Sequence, residues 1–207
     1  MMQFRTFALG AVGAVGAAAI ALAQPTAADA APETFEVDPT HTQIAFLIDH
    51  LGYSKMLGEF EEMSGEFTFD PEDVSAASVS LTIQADSLYT GHTKRDEHLS
   101  GPDFLNAQEF PEITFESTAA ERTGENTGTL TGELTMHGQT HPVTLDVTFN
   151  KMAPHPLPQY DKVLTAGFSA RGTIDRTKWG VDAYAPAVGS EMQLIIEVEG
   201  HDKDHEG

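Results

Sequence analysis

The chain has 207 residues, of which 32 are acidic and 11 basic, for a formal net charge of −21, and it contains no cysteine. A basic footprint for nucleic acid is missing, and an anionic membrane surface would repel such a protein. Thiol redox chemistry, cysteine-ligated zinc and anchoring through a lipidated cysteine are excluded outright.

Arg5 opens the chain, residues 7–23 are an uncharged run rich in Ala, Gly, Val and Leu, and Ala21-Leu22-Ala23 offers an A-x-A cleavage site. This is the layout of a secretory signal peptide. A second cut could follow Ala28-Asp29-Ala30. The expected organisation is a signal peptide over 1–23, a disordered lead-in over 24–33, one domain over 34–200 and a polar tail over 201–207. Export would place the mature protein in the periplasm, and no later segment is long and apolar enough to span a bilayer.

Within the domain the dominant pattern alternates apolar with polar residues, the period of a strand that is dry on one face. Phe35-Glu36-Val37 starts a strand that Asp38-Pro39 stops, and Ile44, Phe46 and Ile48 share a face of the next. Gly52 and Gly58 bracket a connection. A stretch then runs from Phe60 through Gly65 to Phe69, where Asp70-Pro71 turns the chain. The clearest alternation is Ser78–Ala85, with Val79, Leu81, Ile83 and Ala85 on one face. Residues 92–105 break the pattern as a short helical excursion ended by Gly101-Pro102. Strands resume at Ile113 and Phe115, then at Leu130, Leu134 and Met136, with Gly138-Gln139 as a hairpin turn. Val143, Leu145, Val147 and Phe149 form the next row. Lys151 to Tyr160 holds three prolines and reads as a loop. Leu164, Ala166, Phe168, Ala170 and Ile174 follow, then a long loop carrying Trp179 and Tyr184, then Met192, Leu194, Ile196 and Val198. Short connections imply antiparallel neighbours, so the chain is all-β.

Signatures of catalysis are missing: there is no G-x-S-x-G, H-E-x-x-H or phosphate-binding glycine loop. Six of the nine histidines fall in pairs too small to complete a zinc sphere: His137 with His141 across a turn, His92 with His98, and His201 with His205 in the tail. No metal site and no cofactor are expected. The strand phenylalanines either fill a sandwich core or line the interior of a barrel, and the pattern alone favours neither.

A longer set of motifs decides between them. Asp38-Pro39-Thr40-His41-Thr42-Gln43-Ile44-Ala45-Phe46 is followed in order by His50-Leu51-Gly52, Gly58-Glu59-Phe60 and Phe69-Asp70-Pro71. Arg95-Asp96-Glu97-His98-Leu99, Asp103-Phe104-Leu105 and Phe110-Pro111-Glu112-Ile113-Thr114-Phe115 come next, then Leu134-Thr135-Met136-His137-Gly138 and Arg176-Thr177-Lys178-Trp179-Gly180. From about Phe35 to Gly200 the chain resembles the YceI-like family of exported, lipocalin-like, polyisoprenoid-binding proteins. It departs from the family pattern at Leu105, Lys178 and Glu191, in loops or by an apolar exchange.

The resemblance implies an eight-stranded antiparallel, lipocalin-like barrel around an apolar tunnel that holds a quinone, a prenyl phosphate or another long-chain lipid. The expected wall residues are Phe46, Phe67, Leu81, Ile83, Phe115, Phe149 and Phe168, and the expected mouth residues are His41, Arg95 and His98. Two other classes fit the chain: a lipid-modifying enzyme using the same cavity, and a stress-related interaction module with a closed core and an acidic surface. Open strand edges leave room for a homodimer, with no one strand marked as its interface.

Overall fold

The computed structural model describes residues 32–204, so the signal peptide and nearly all of the lead-in lie outside the described residues. The strands are β1 (Glu33–Val37), β2 (Gln43–His50), β3 (Ser54–Phe60), β4 (Met63–Phe69), β5 (Ser78–Gln84), β6 (Leu88–Tyr89), β7 (Glu112–Arg122), β8 (Thr127–Met136), β9 (Gln139–Pro154), β10 (Leu164–Asp175) and β11 (Val188–Asp202). One α-helix, α1 (Thr93–Leu99), lies between β6 and β7.

These eleven segments make eight strands of a closed antiparallel barrel, because three strands are each broken once. β1 and β2 are halves of the first, since β1 pairs with β4 (Phe35 opposite Phe67) and β2 with β3 (Ile44 opposite Phe60). β3 and β4 are halves of the second, interrupted at Glu61-Glu62, and β5 and β6 of the third. β7 to β11 then follow as an up-and-down meander. The long β11 closes the ring: one edge pairs with β10, and the other pairs with β2 and then β1. Closure leaves the barrel no long unpaired edge.

Period-two alternation sets which side chains face inward. Ile83 sits opposite Ile113 and Leu81 opposite Phe115, while Ser80 and Glu116 face outward and bond to each other at 2.6 Å. Three phenyl rings lie across glycines of other strands, Phe46 and Phe115 over a paired neighbour and Phe67 over β11 beyond β1. A Cβ would stand 2.4 Å from the ring of Phe46 at Gly58, 2.4 Å from Phe115 at Gly132 and 2.5 Å from Phe67 at Gly200. Gly58→Val is therefore expected to cost about 1–3 kcal/mol, the usual penalty of overpacking, read as a lowered urea midpoint.

Four local expectations are corrected. The connection after β2 spans only Leu51–Tyr53, and Ser54–Phe60 is a full strand in which Gly58 is an interior position. The β8–β9 turn is His137-Gly138, with φ of +50° and +72°; two consecutive left-handed residues are what a tight hairpin twist requires. β9 runs on to Pro154, which stands last in the strand opposite Leu164, where a proline is tolerated. The tail begins later than position 201, because His201 and Asp202 pair with Glu36 and Phe35. The helical excursion keeps its place at Thr93–Leu99, capped at its start by the His92 side chain.

Candidate ligand-binding tunnel

The barrel interior is not filled. A cavity of about 550 Å³ runs along it, within the range of pockets that enclose small amphiphiles. All seven wall residues expected from strand parity line it: Phe46, Phe67, Leu81, Ile83, Phe115, Phe149 and Phe168. A closed-core interaction module therefore loses its premise.

At one end the wall is aromatic. Phe69 packs edge-on against Phe168 at 4.9 Å and tilted against Phe149 at 5.1 Å, and Phe67 meets Phe168 at 5.5 Å. Phe35, fully buried, stacks behind Phe67 at 5.0 Å. Beside this cluster the cavity reaches exposed residues of the β7–β8 turn, where Arg122 donates to the carbonyls of Glu125 and Pro71. That guanidinium is occupied in tying turn to turn.

The other end is covered by α1 and the turns after it, which bury Phe104 and Leu105 over the barrel. His98 meets Phe104 edge-on at 5.2 Å, and Tyr184 lies 6.0 Å from the same ring. Tyr184 is 63% exposed and still lines the cavity, so the tunnel opens there. Arg95 lines this mouth: its Nε donates to Thr90 Oγ1 at 2.7 Å and one terminal nitrogen to the Thr90 carbonyl at 2.8 Å. Thr90 is held in turn by Asp96 Oδ1, which accepts from its backbone N–H at 2.9 Å. Among the described residues Arg95 has no carboxylate partner, so N–H donors of its fork remain for a ligand. His98 and His50 also reach the cavity at this end. Glu125, at the opposite end, is the one carboxylate residue among the described lining. The described lining at the covered mouth thus carries Arg95, His98 and His50 and no carboxylate, while Asp103 Oδ2 stands 3.6 Å from His98 Nε2.

His41 does not belong to this mouth. It stands outside the tunnel at the break between β1 and β2, half exposed, with Nδ1 2.6 Å from Asp38 Oδ2. Burial would raise the Asp38 carboxyl, but hydrogen bonds from His41 and Thr40 outweigh it and hold it low. The same bond raises the imidazole above its ordinary value near 6.5. A raised folded-state value means that the stabilisation is complete below the unfolded value and fades as pH climbs through the folded one. Asp38→Asn is expected to move the His41 midpoint down towards 6.5 in an NMR titration and to remove that part of the pH dependence.

Arg176 escaped the sequence reading as a functional position. It is 2% exposed, lines the tunnel, and donates to the carbonyls of Val181, Ala183, Val188 and Gly189. It pins the β10–β11 connection, including Tyr184, against the mouth. Trp179, equally buried, donates its indole N–H to the Leu134 carbonyl at 3.0 Å. In the sequence Arg176 stood only as the first residue of the Arg176-Thr177-Lys178-Trp179-Gly180 motif, which does not distinguish a latch from a surface loop.

Comparison with known proteins agrees with this architecture. A UPF0312 protein of Yersinia pestis (strain Pestoides F) is 37% identical over 177 residues, covering 84% of this chain and 90% of that protein. Among solved structures, Burkholderia cenocepacia BcnA superposes with a TM-score of 0.71 at 24% identity, over 79% of this chain and 98% of its own. A polyisoprenoid binding domain from Saccharophagus degradans shares the fold with a TM-score of 0.57 at 12% identity, over 81% and 98% of the two chains. The model of the YceI-like domain matches residues 35–200, from the first inward phenylalanine of β1 to the glycine beneath Phe67 on β11: this chain is a member of the YceI-like domain family.

Proposed function

We propose that the protein is an exported carrier for a long-chain amphiphile, a polyisoprenoid or similar lipid, whose tail lies in the tunnel and whose head is anionic and sits at the mouth covered by α1. The observation that carries this reading is the carbon-lined cavity of about 550 Å³ inside a closed barrel. A tail leaving water for such a channel gains about 0.8 kcal/mol per CH₂ group. The fold shared with a domain described as polyisoprenoid-binding is in keeping with that cargo. The unpaired donors of Arg95, beside His98, favour a phosphate or carboxylate head over a neutral one.

Mass spectrometry of organic extracts from detergent-free protein, purified from its native host, tests the carrier reading. A stoichiometric lipid supports it; an empty protein that also refuses added prenyl phosphate and quinone overturns it. Arg95→Gln tests the head. Charge-assisted hydrogen bonds contribute about 1.5–3 kcal/mol, so prenyl phosphate is expected to bind roughly ten- to a hundredfold more weakly while a quinone of equal chain length is unaffected. Equal loss for both would remove the anionic head from the proposal.

A further inference from the structure

A second cluster of chemically active side chains lies outside the tunnel, on the outer face of the barrel where β11 passes from β2 to β1. Gly200 faces inward beneath Phe67, so its neighbours Glu199 and His201 both project outward. Asp38, directly after β1, is fixed beside them by its backbone N–H bond to the Glu199 carbonyl at 2.9 Å. His155 arrives from the β9–β10 connection, anchored by its N–H to the Val163 carbonyl at 2.8 Å. Tyr160 lies 3.9 Å from the His155 ring and 5.4 Å from that of His201, walling the cluster from one side.

The donor atoms converge. His201 Nε2 is 3.5 Å from Glu199 Oε1 and 3.9 Å from Asp38 Oδ2, and His155 Nε2 is 4.0 Å from the same Glu199 oxygen. His201 Nε2 is buried and has no hydrogen-bond partner among the described residues. An unpaired buried imidazole nitrogen is costly, and here it points at two carboxylates that are too far away to bond and too close to ignore. Around a tetrahedral Zn²⁺ with ligand bonds of 2.0–2.2 Å, neighbouring ligand atoms stand roughly 3.3–3.5 Å apart. The three separations above exceed that by roughly 0.7 Å or less; His155, Glu199 and His201 lie within 4.8 Å of one another, and Asp38 joins Glu199 in an adjoining group of the same spacing.

We propose that His155, Glu199 and His201 form a binding site for a transition-metal dication, with Asp38, beside His201, as its fourth ligand. Two imidazoles and two carboxylates suit Zn²⁺, Ni²⁺ or Cu²⁺, whereas Mg²⁺ and Ca²⁺ take oxygen ligands only. The two carboxylates neutralise the ion, and His41, bonded to Asp38 Oδ2, orients that carboxylate from outside the coordination sphere. Ligation by His155 through Nε2 leaves the proton on Nδ1, so the 3.2 Å contact from the Leu157 N–H to Nδ1 opens when the ion binds. The ion then ties the end of β1, the end of β11 and the β9–β10 connection at the seam that closes the barrel.

Isothermal titration of the full chain with ZnCl₂ and with MgCl₂ tests the site, alongside His155→Asn, His201→Asn and His205→Ala, the last as a control in the acidic C-terminal residues. One equivalent of Zn²⁺ is expected, with no Mg²⁺ competition, and an Nε2-deleting change at His155 or His201 should weaken it at least ten- to a hundredfold, the loss known for outer-sphere partners alone. The Leu157 amide resonance should shift on Zn²⁺ addition. Circular dichroism of the metal-free variants shows that the barrel persists, and Glu199→Gln supplies an isosteric variant that should also lose the ion. Zn²⁺ binding unchanged in both histidine variants, lost in His205→Ala, or matched by Mg²⁺ would overturn the proposal and leave non-specific attraction to an acidic surface.

Discussion

Ala170→Phe is expected to abolish retention of a long-chain ligand while leaving the barrel folded. Ala170 lies on β10 opposite Val147 of β9 and Ile196 of β11, and its methyl group forms part of the tunnel wall. A phenyl ring there enters empty space instead of a packed core, so the overpacking penalty that normally attends such a change is largely avoided. The ring occupies a stretch of the tunnel that the tail would fill. Displacing one five-carbon isoprene unit forfeits roughly 4 kcal/mol, on the order of a thousandfold in affinity. Fluorescence displacement with a prenyl phosphate, read beside the thermal midpoint, checks both halves. Unaltered binding in a folded variant would mean that the ligand lies elsewhere.

Arg176→Met is expected to destabilise the domain by about 3–5 kcal/mol, the range for removing one member of a buried charged network. Burial lowers the Arg176 pKa, opposed by the nearby Asp182 and Asp175, but a guanidinium stays charged under any condition in which the fold exists. Its stabilisation comes from four carbonyls, Val181 and Ala183 in the connection and Val188 and Gly189 at the start of β11, all served by a single planar fork. Methionine fills much of the same space and leaves every one of those acceptors without its donor. Lysine, a point charge with other directions, should restore only part of the loss. For a domain of this size the change corresponds to a fall of roughly 10 °C in the melting temperature. The same variant should release ligand faster, because the freed connection carries Tyr184 at the mouth. An unchanged urea midpoint would show that water replaces the guanidinium at no cost.

Much of the wall was legible because inward and outward residues differ so cleanly on β5, β7, β9 and β10. Every phenylalanine assigned inward by parity lies at the tunnel. β3 was illegible for the opposite reason. Its inward row is Met56, Gly58 and Phe60, in which the glycine breaks the apolar series, while Leu57 on the outer face is 54% exposed. His41 was misplaced because a motif gives order along the chain and not the side of the wall: at the break between β1 and β2 the backbone turns its ring towards Asp38 instead of the lumen. The His155, Glu199 and His201 cluster was hidden by distance in the chain. His155 sat in what read as a proline loop and His201 in what read as a tail, and the pairing of β10 with both β9 and β11 brings them together.

The phenyl rings that lie over Gly58, Gly132 and Gly200 are spread along the barrel: Phe46 towards the covered mouth, Phe115 midway, and Phe67 at the aromatic end. Each ring can lie flush with the wall only because the residue behind it has no side chain. The bore is thus gauged at three depths by positions that never touch a guest. Small exchanges at those glycines would tilt one ring at a time into the lumen and alter how long a tail is admitted without touching the groups that hold its head. For the amphiphile proposed above, tail length and head chemistry would then be read by different residues of the barrel.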